Sequence, residues 1–246
     1  MKVEIYPDPS AANHAATDSL AQSLLEPATR TLVVAGGNTP LVLYEKIAGR
    51  RLSLGHLHVF ALDEYVGVPS DDPRTTGNLL RRTVAEAWRI APQQFHTVSS
   101  RETDAQASVE THERKIAGLG GIDVIILGLG QNGHLGFNEP GSSNDSLGRI
   151  ITLESISTAA NRVWFNGDYS PSRGATIGLK AILSAKRVFL LAYGQRKAPA
   201  VLNMIEGTQC AACPASWLQS HSNVEVFLDE AAAAQLKGMG VKRHGR

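Results

Sequence analysis

Four short apolar runs in this chain each stop abruptly at a glycine or a carboxylate. Thr31-Leu-Val-Val-Ala35 breaks into Gly36-Gly-Asn-Thr-Pro40, and Leu57-His-Val-Phe-Ala-Leu62 runs into Asp63-Glu64-Tyr65. Ile122-Asp-Val-Ile-Ile-Leu127 opens into Gly128-Leu-Gly-Gln-Asn-Gly-His134, and Lys186-Arg-Val-Phe-Leu-Leu-Ala192 leads to Gly194-Gln-Arg-Lys197. Runs this short and this uniformly apolar have no wet face, which is the signature of parallel strands covered on both sides. Helical stretches alternate with them, at 11–25, from Pro40 onward, at 76–88 and at 102–117. The pattern predicts an α/β fold, a Rossmann-like, mostly parallel sheet with helices on both faces. At 246 residues, with no internal repeat and no linker, a single domain over 1–246 is expected. Its glycine-rich basic tail, 237–246, is expected to fray.

Finer expectations follow from local chemistry. Thr39 and Pro40 suit the N-cap and first position of a helix, which makes Gly36, Gly37, Asn38 and Thr39 a strand–glycine turn–helix start of the kind that receives phosphate. The segment 149–153 reads as extended, 160–165 as a short mixed segment, and Asp229 as the cap of an alanine helix.

Open parallel sheets bind ligands beyond the carboxyl ends of their strands. The loop after the third run carries His134 and Glu139, with the amides Asn132 and Asn138. An imidazole and a carboxylate on one glycine loop point to acid–base catalysis. Asp63 and Glu64 alternate in direction, so one faces the ligand and the other caps the chain that follows. Gly128, Gly130 and Gly133 match the dinucleotide fingerprint literally, but that fingerprint needs a helix to begin within it. Phe137-Asn-Glu-Pro140-Gly does not continue as one.

Composition narrows the partners. The 24 basic and 23 acidic residues nearly cancel, so neither nucleic acid nor an anionic membrane is expected. Met1-Lys-Val-Glu-Ile-Tyr-Pro7 has no long apolar region behind a basic start, which gives a cytoplasmic expectation. Cys210 and Cys213 lack both further zinc ligands and a thioredoxin-like context, and read as incidental thiols. No metal and no cofactor is expected.

Across nearly the whole chain, these motifs resemble the glucosamine-6-phosphate deaminase family, which shares its fold with 6-phosphogluconolactonases. The resemblance rests on Ala35-Gly-Gly-Asn-Thr-Pro40, Leu62-Asp-Glu-Tyr-Val-Gly67, Gly130-Gln-Asn-Gly-His-Leu-Gly-Phe-Asn-Glu-Pro140 and Pro214-Ala-Ser-Trp-Leu-Gln-Ser-His221. Tyr65, Asn138, Glu139 and Pro140 fall on the deaminase side. It implies ring opening, aldose–ketose isomerisation and ammonia release from an amino-sugar phosphate, without cofactor, by a monomer or small homo-oligomer. In that scheme His134 moves the ring-opening proton, Asp63 takes the C2 proton, Glu139 orients His134, and Asn132 accepts an imidazole N–H. The 36–39 loop, Arg162 and Lys197 hold the phosphate. Galactosamine 6-phosphate, giving tagatose 6-phosphate, is the alternative substrate, and lactone hydrolysis the alternative reaction. Ile151 stands where allosteric members carry lysine, which implies no activation by N-acetylglucosamine 6-phosphate.

Overall fold

A computed structural model describes residues 1–237 and 241–245. The chain runs β1 (Lys2–Tyr6), α1 (Pro9–Leu25), β2 (Thr31–Val34), α2 (Leu41–Gly49), β3 (His58–Ala61), β4 (Asp63–Tyr65), α3 (Thr76–Leu80), β5 (Phe95–His96) and α4 (Ala105–Gly118). It continues with β6 (Val124–Gly128), β7 (Arg149–Thr152), α5 (Ser155–Trp164), β8 (Arg173–Thr176), α6 (Leu179–Leu183), β9 (Arg187–Ala192), α7 (Ala198–Glu206), β10 (Val224–Asp229) and β11 (Val241–Arg243).

Eight strands form one sheet in the order β11-β1-β10-β9-β6-β2-β3-β5, and every pairing in it is parallel. Successive residues of the central strands feed two separate cores. Val33, Ile125, Leu127, Val188 and Leu190 face the side packed by α6 and α7. Leu32, Val34, Val124, Ile126, Phe189 and Leu191 face the side packed by α1 and α2. Each fully buried side chain of this size contributes about 1.5–3 kcal/mol. This is the two-faced architecture the apolar runs imply. Among the described residues no helix is long and apolar enough to cross a membrane.

The strand order creates one special crevice. From β2 the chain moves outward to β3, whereas from β6 it moves the other way to β9 and then β10. The neighbours β2 and β6 therefore flank a topological switch point, where open α/β sheets bind ligands.

Several local expectations are corrected. A second sheet, β4-β8-β7, is antiparallel and sits beyond the carboxyl ends of the main strands. Residues 160–164 belong to a ten-residue helix, α5, which Phe165 caps, rather than to a mixed segment. Pro40, not Thr39, occupies the N-cap of α2, and no side chain caps that end. Asp229 accepts from Ala232 N–H, but a run of turns, not a helix, follows it. The tail is ordered in part: Val241, Lys242 and Arg243 pair with Val3, Glu4 and Ile5, because β1 would otherwise be an open edge. Residues 238–240 and 246 of the expected frayed tail lie outside the described residues.

Candidate active site

The 36–39 loop leaves β2 at the switch point. Gly37 has φ +87°, a left-handed conformation that glycine adopts freely. Tyr44 on α2 anchors the turn by donating its hydroxyl to Ala35 O at 2.8 Å. Gly36 lies against Thr76, whose Cγ2 would be 2.9 Å from an added Cβ. Thr76 opens the short helix α3, and its hydroxyl lies near enough to favour the ionised Asp63, so the glycine loop and the carboxylate share a wall.

Asp63 and Glu64 divide their work as their alternation demands. Glu64 accepts main-chain N–H groups from Tyr65 at 2.8 Å, Thr76 at 3.0 Å and Gly77 at 2.7 Å. It is the structural partner that holds α3. Asp63 is also buried, and the Thr76 hydroxyl favours its ionised form. Burial pushes Asp63 up to about 7, and the neighbouring Glu64 charge adds to the rise. Burial likewise raises Glu64 to about 7, against the three amides that favour its ionised form. A carboxyl that titrates near neutrality is a competent base.

Across the cleft, the 128–141 loop follows β6 without starting a helix. Gly130 places its Cα under the His134 ring; an added Cβ would lie 2.4 Å from that ring, so only glycine allows this approach. Glu139, buried to 2 % exposure, meets His134 Nδ1 at 3.2 Å through Oε2. The same oxygen accepts from Asn132 Nδ2 at 2.7 Å. Asn132 Oδ1 instead accepts the main-chain N–H of His134 at 3.3 Å. The expected contact from Asn132 to the imidazole N–H is therefore corrected: Glu139 takes that place, and Asn132 braces both partners. Burial pulls the Glu139 carboxyl up, but the hydrogen bond and charge of His134, with Ser157 and Asn132, bring it below its ordinary value.

Strand β8 joins the two halves. Ile177 N–H donates to Leu62 O at 3.2 Å, Phe137 N–H to Thr176 Oγ1 at 3.3 Å, and Asn138 Nδ2 to Ile177 O at 2.9 Å. Asn138 is thus a fully buried strut, not a ligand contact. Helix α5 closes over the loop: Ser157 Oγ lies 3.4 Å from His134 Nδ1. Arg74 secures the far end of α5, donating to Phe165 O at 2.8 Å and Asp168 at 2.7 Å.

Lys197 follows β9, two strands from β2, which is roughly 10 Å across a sheet. Its ammonium is half-buried, its pKa is lowered by burial, and it forms no ion pair among the described residues. A cation held this way has unmet demand for an anion. Arg162 lies exposed on α5, and among the described residues its side chain makes no hydrogen bond or ion pair with the 36–39 loop or Lys197. Thr76 and Ser157 were missed in the sequence. Thr76 had a signal, a threonine at a helix start just after the carboxylate pair; Ser157 had none beyond the hydroxyl-rich Ser155-Ile-Ser-Thr158.

Fold and site define a class: α/β proteins that set acid–base side chains beside an anion-accommodating glycine loop at the switch point of a parallel sheet. The model of the glucosamine-6-phosphate isomerases/6-phosphogluconolactonase family matches residues 8–227. A glucosamine-6-phosphate deaminase of Streptomyces coelicolor is 39% identical over 99% of this chain and 96% of its own. Another from Cutibacterium acnes is 41% identical over 96% of this chain and 92% of its own. The solved structure of a monomeric glucosamine-6-phosphate deaminase superposes with a TM-score of 0.89 at 32% identity, covering 95% of this chain and 99% of that one. The 6-phosphogluconolactonase of Trypanosoma brucei, at 20% identity and a TM-score of 0.78, shares the fold. The chain belongs to the glucosamine-6-phosphate isomerase/6-phosphogluconolactonase family.

Proposed function

We propose that this chain converts glucosamine 6-phosphate and water into fructose 6-phosphate and ammonia. The observation that carries the reading is Glu139, whose Oε2 is shared between His134 and Asn132. It gives the imidazole a fixed orientation and a negative partner, as proton shuttling during ring opening requires.

In this reading the 36–39 amides and Lys197 hold the phosphate, with Arg162 on α5 as a second cation. His134 carries a proton between the anomeric hydroxyl and the ring oxygen, opening the pyranose. Asp63 then takes the C2 proton, and the electrons left behind form an enolamine between C1 and C2. Protonation at C1 leaves an imine at C2, which water hydrolyses to the ketone with release of ammonia. No step calls on a metal or a cofactor. The near-neutral titration of Asp63 suits it to take that proton and return it to C1. The active unit is a monomer, a reading supported by the monomeric relative.

The test is ammonia release by purified protein from glucosamine 6-phosphate and galactosamine 6-phosphate, side by side. A much higher kcat/KM with the first is expected. Preference for the second would move the substrate to the C4 epimer, and ammonia from neither would refute the reading.

A further inference from the structure

Cys210 and Cys213 are both free thiols, and neither takes part in the chemistry above. They close a tight hairpin turn: Cys213 N–H donates to Cys210 O at 3.2 Å, and the two residues face each other across an isolated antiparallel bridge. Residues paired in this way have Cα atoms about 4.5–5.5 Å apart, inside the span a disulfide requires. Side chains of such a pair lie on one side of the turn.

The turn's backbone is pinned. Cys210 N–H donates to Ser216 Oγ at 2.9 Å, the same hydroxyl donates to Cys210 O at 3.2 Å, and Ser216 N–H donates to Cys213 O at 2.8 Å. Only the two side chains need to rotate to meet. The turn also grips the catalytic loop at both ends. Gly141 N–H donates to Ala211 O at 2.8 Å, and Ala215 N–H donates to Gly133 O at 2.9 Å. Cys213 Sγ packs against Gly133, 2.5 Å from where a Cβ would be, and Gly133 lies between Asn132 and His134.

We propose that Cys210 and Cys213 are a reversibly oxidisable dithiol whose disulfide form loosens the catalytic loop and lowers turnover. The proposal rests on the reading of the 130–141 loop as catalytic. The oxidant is a low-molecular-weight disulfide. Cys210, the more exposed sulfur, attacks it as thiolate, forming a mixed disulfide and releasing one small thiol. The Cys213 thiolate then attacks the Cys210 sulfur and releases the second. The protein loses two electrons and two protons, and the oxidant gains them as two thiols. Burial pushes the Cys213 thiol up, which protects it from the first attack. Turning towards Cys210, the Cys213 sulfur leaves its place against Gly133, and the backbone between Asn132 and His134 loses that support.

The experiment treats purified protein with oxidised glutathione and follows intact mass, peptide mapping and ammonia release. An internal disulfide joining Cys210 to Cys213 is expected, with kcat lower by about ten- to a hundredfold, since misplacing catalytic groups by about 1 Å can cost about 10²-fold. Dithiothreitol restores kcat, and Cys210→Ser keeps the reduced rate while ignoring the oxidant. No internal disulfide, or a disulfide with kcat unchanged, overturns the proposal. If the reduced protein releases no ammonia, the functional reading fails by itself. Hydrogen exchange of amides 130–141 then decides the dithiol: faster exchange after oxidation supports it, and unchanged exchange overturns it.

Discussion

Asp63, at the start of β4, and Glu139, in the loop after β6, are both buried carboxylates, yet their surroundings push them in opposite directions. Asp63 is 7 % exposed and Glu139 2 %, and burial is the largest influence raising both. Burial pushes Asp63 up to about 7, the Glu64 charge next door adds to the rise, and only the Thr76 hydroxyl works against it. Glu139 has His134, Asn132 and Ser157 around it, and it falls below its ordinary value. Burial raises both, and the partners that favour the charged form, few at Asp63 and several at Glu139, set how far each ends from its ordinary value. Two carboxyls whose environments drive them apart mark two roles. In the proposed reaction Asp63 exchanges the proton, and Glu139 stays charged and holds the imidazole in place.

Substitution breaks the comparison most sharply at Asp63. Asp63→Asn keeps shape and removes the base, so kcat for ammonia release should fall about 10²–10⁴-fold with KM little changed. A kcat within a few-fold of wild type would remove Asp63 from the role. Glu139→Gln keeps a hydrogen-bonding group behind His134 but not the charge. By analogy with the partners that orient metal-bound imidazoles, the expected loss is about 10–100-fold. A larger loss than that of Asp63→Asn would invert the two assignments. The pH profile refines the point. Because Asp63 must be ionised to act, kcat/KM should decline as pH falls through about 7. That limb should stay in place in Glu139→Gln, and a limb that moved with Glu139 would assign the titration to the wrong side of the cleft.

The half of the site built on the main sheet was legible in the sequence, and the half built above it was not. Val124-Ile-Ile-Leu127 and Val188-Phe-Leu-Leu191 are apolar throughout because both their faces are covered, so their ends, and the loops carrying His134 and Lys197, could be located. Strands β4 and β8 have three or four residues each, with no alternation to read, and β7, legible as extended at 149–153, is only half-buried and shows nothing of its partner. Helix α5 is rich in serine, threonine and β-branched residues of weak helix propensity, and it exposes Val163 to 78 %. What makes it a helix is its seat over the catalytic loop. The orientation of Asn132 was beyond the sequence for a similar reason: its amide nitrogen turns to Glu139, a choice fixed by how the loop folds back on itself.

The smallest expected effect is on stability, and there the two carboxylates should differ in sign. Asp63 titrates near 7 in the folded chain against an ordinary value of 3.8. The folded state thus binds the extra proton between those values, and stability falls as pH rises through that window. Asp63→Asn removes this penalty, so it should melt higher than wild type at pH 8, with the gap vanishing towards pH 4. Glu139 lies below its ordinary 4.5 when folded, so its contribution is present above that value and is lost as pH falls through the lowered one. Glu139→Gln should therefore melt lower than wild type at pH 8, with the gap closing in acid. For a chain of this size each kcal/mol shifts Tm by about 2–4 °C, which thermal melts from pH 8 down to below pH 4 can resolve. Melting shifts of the same sign at pH 8 would mean that the two environments do not differ as their hydrogen bonds imply.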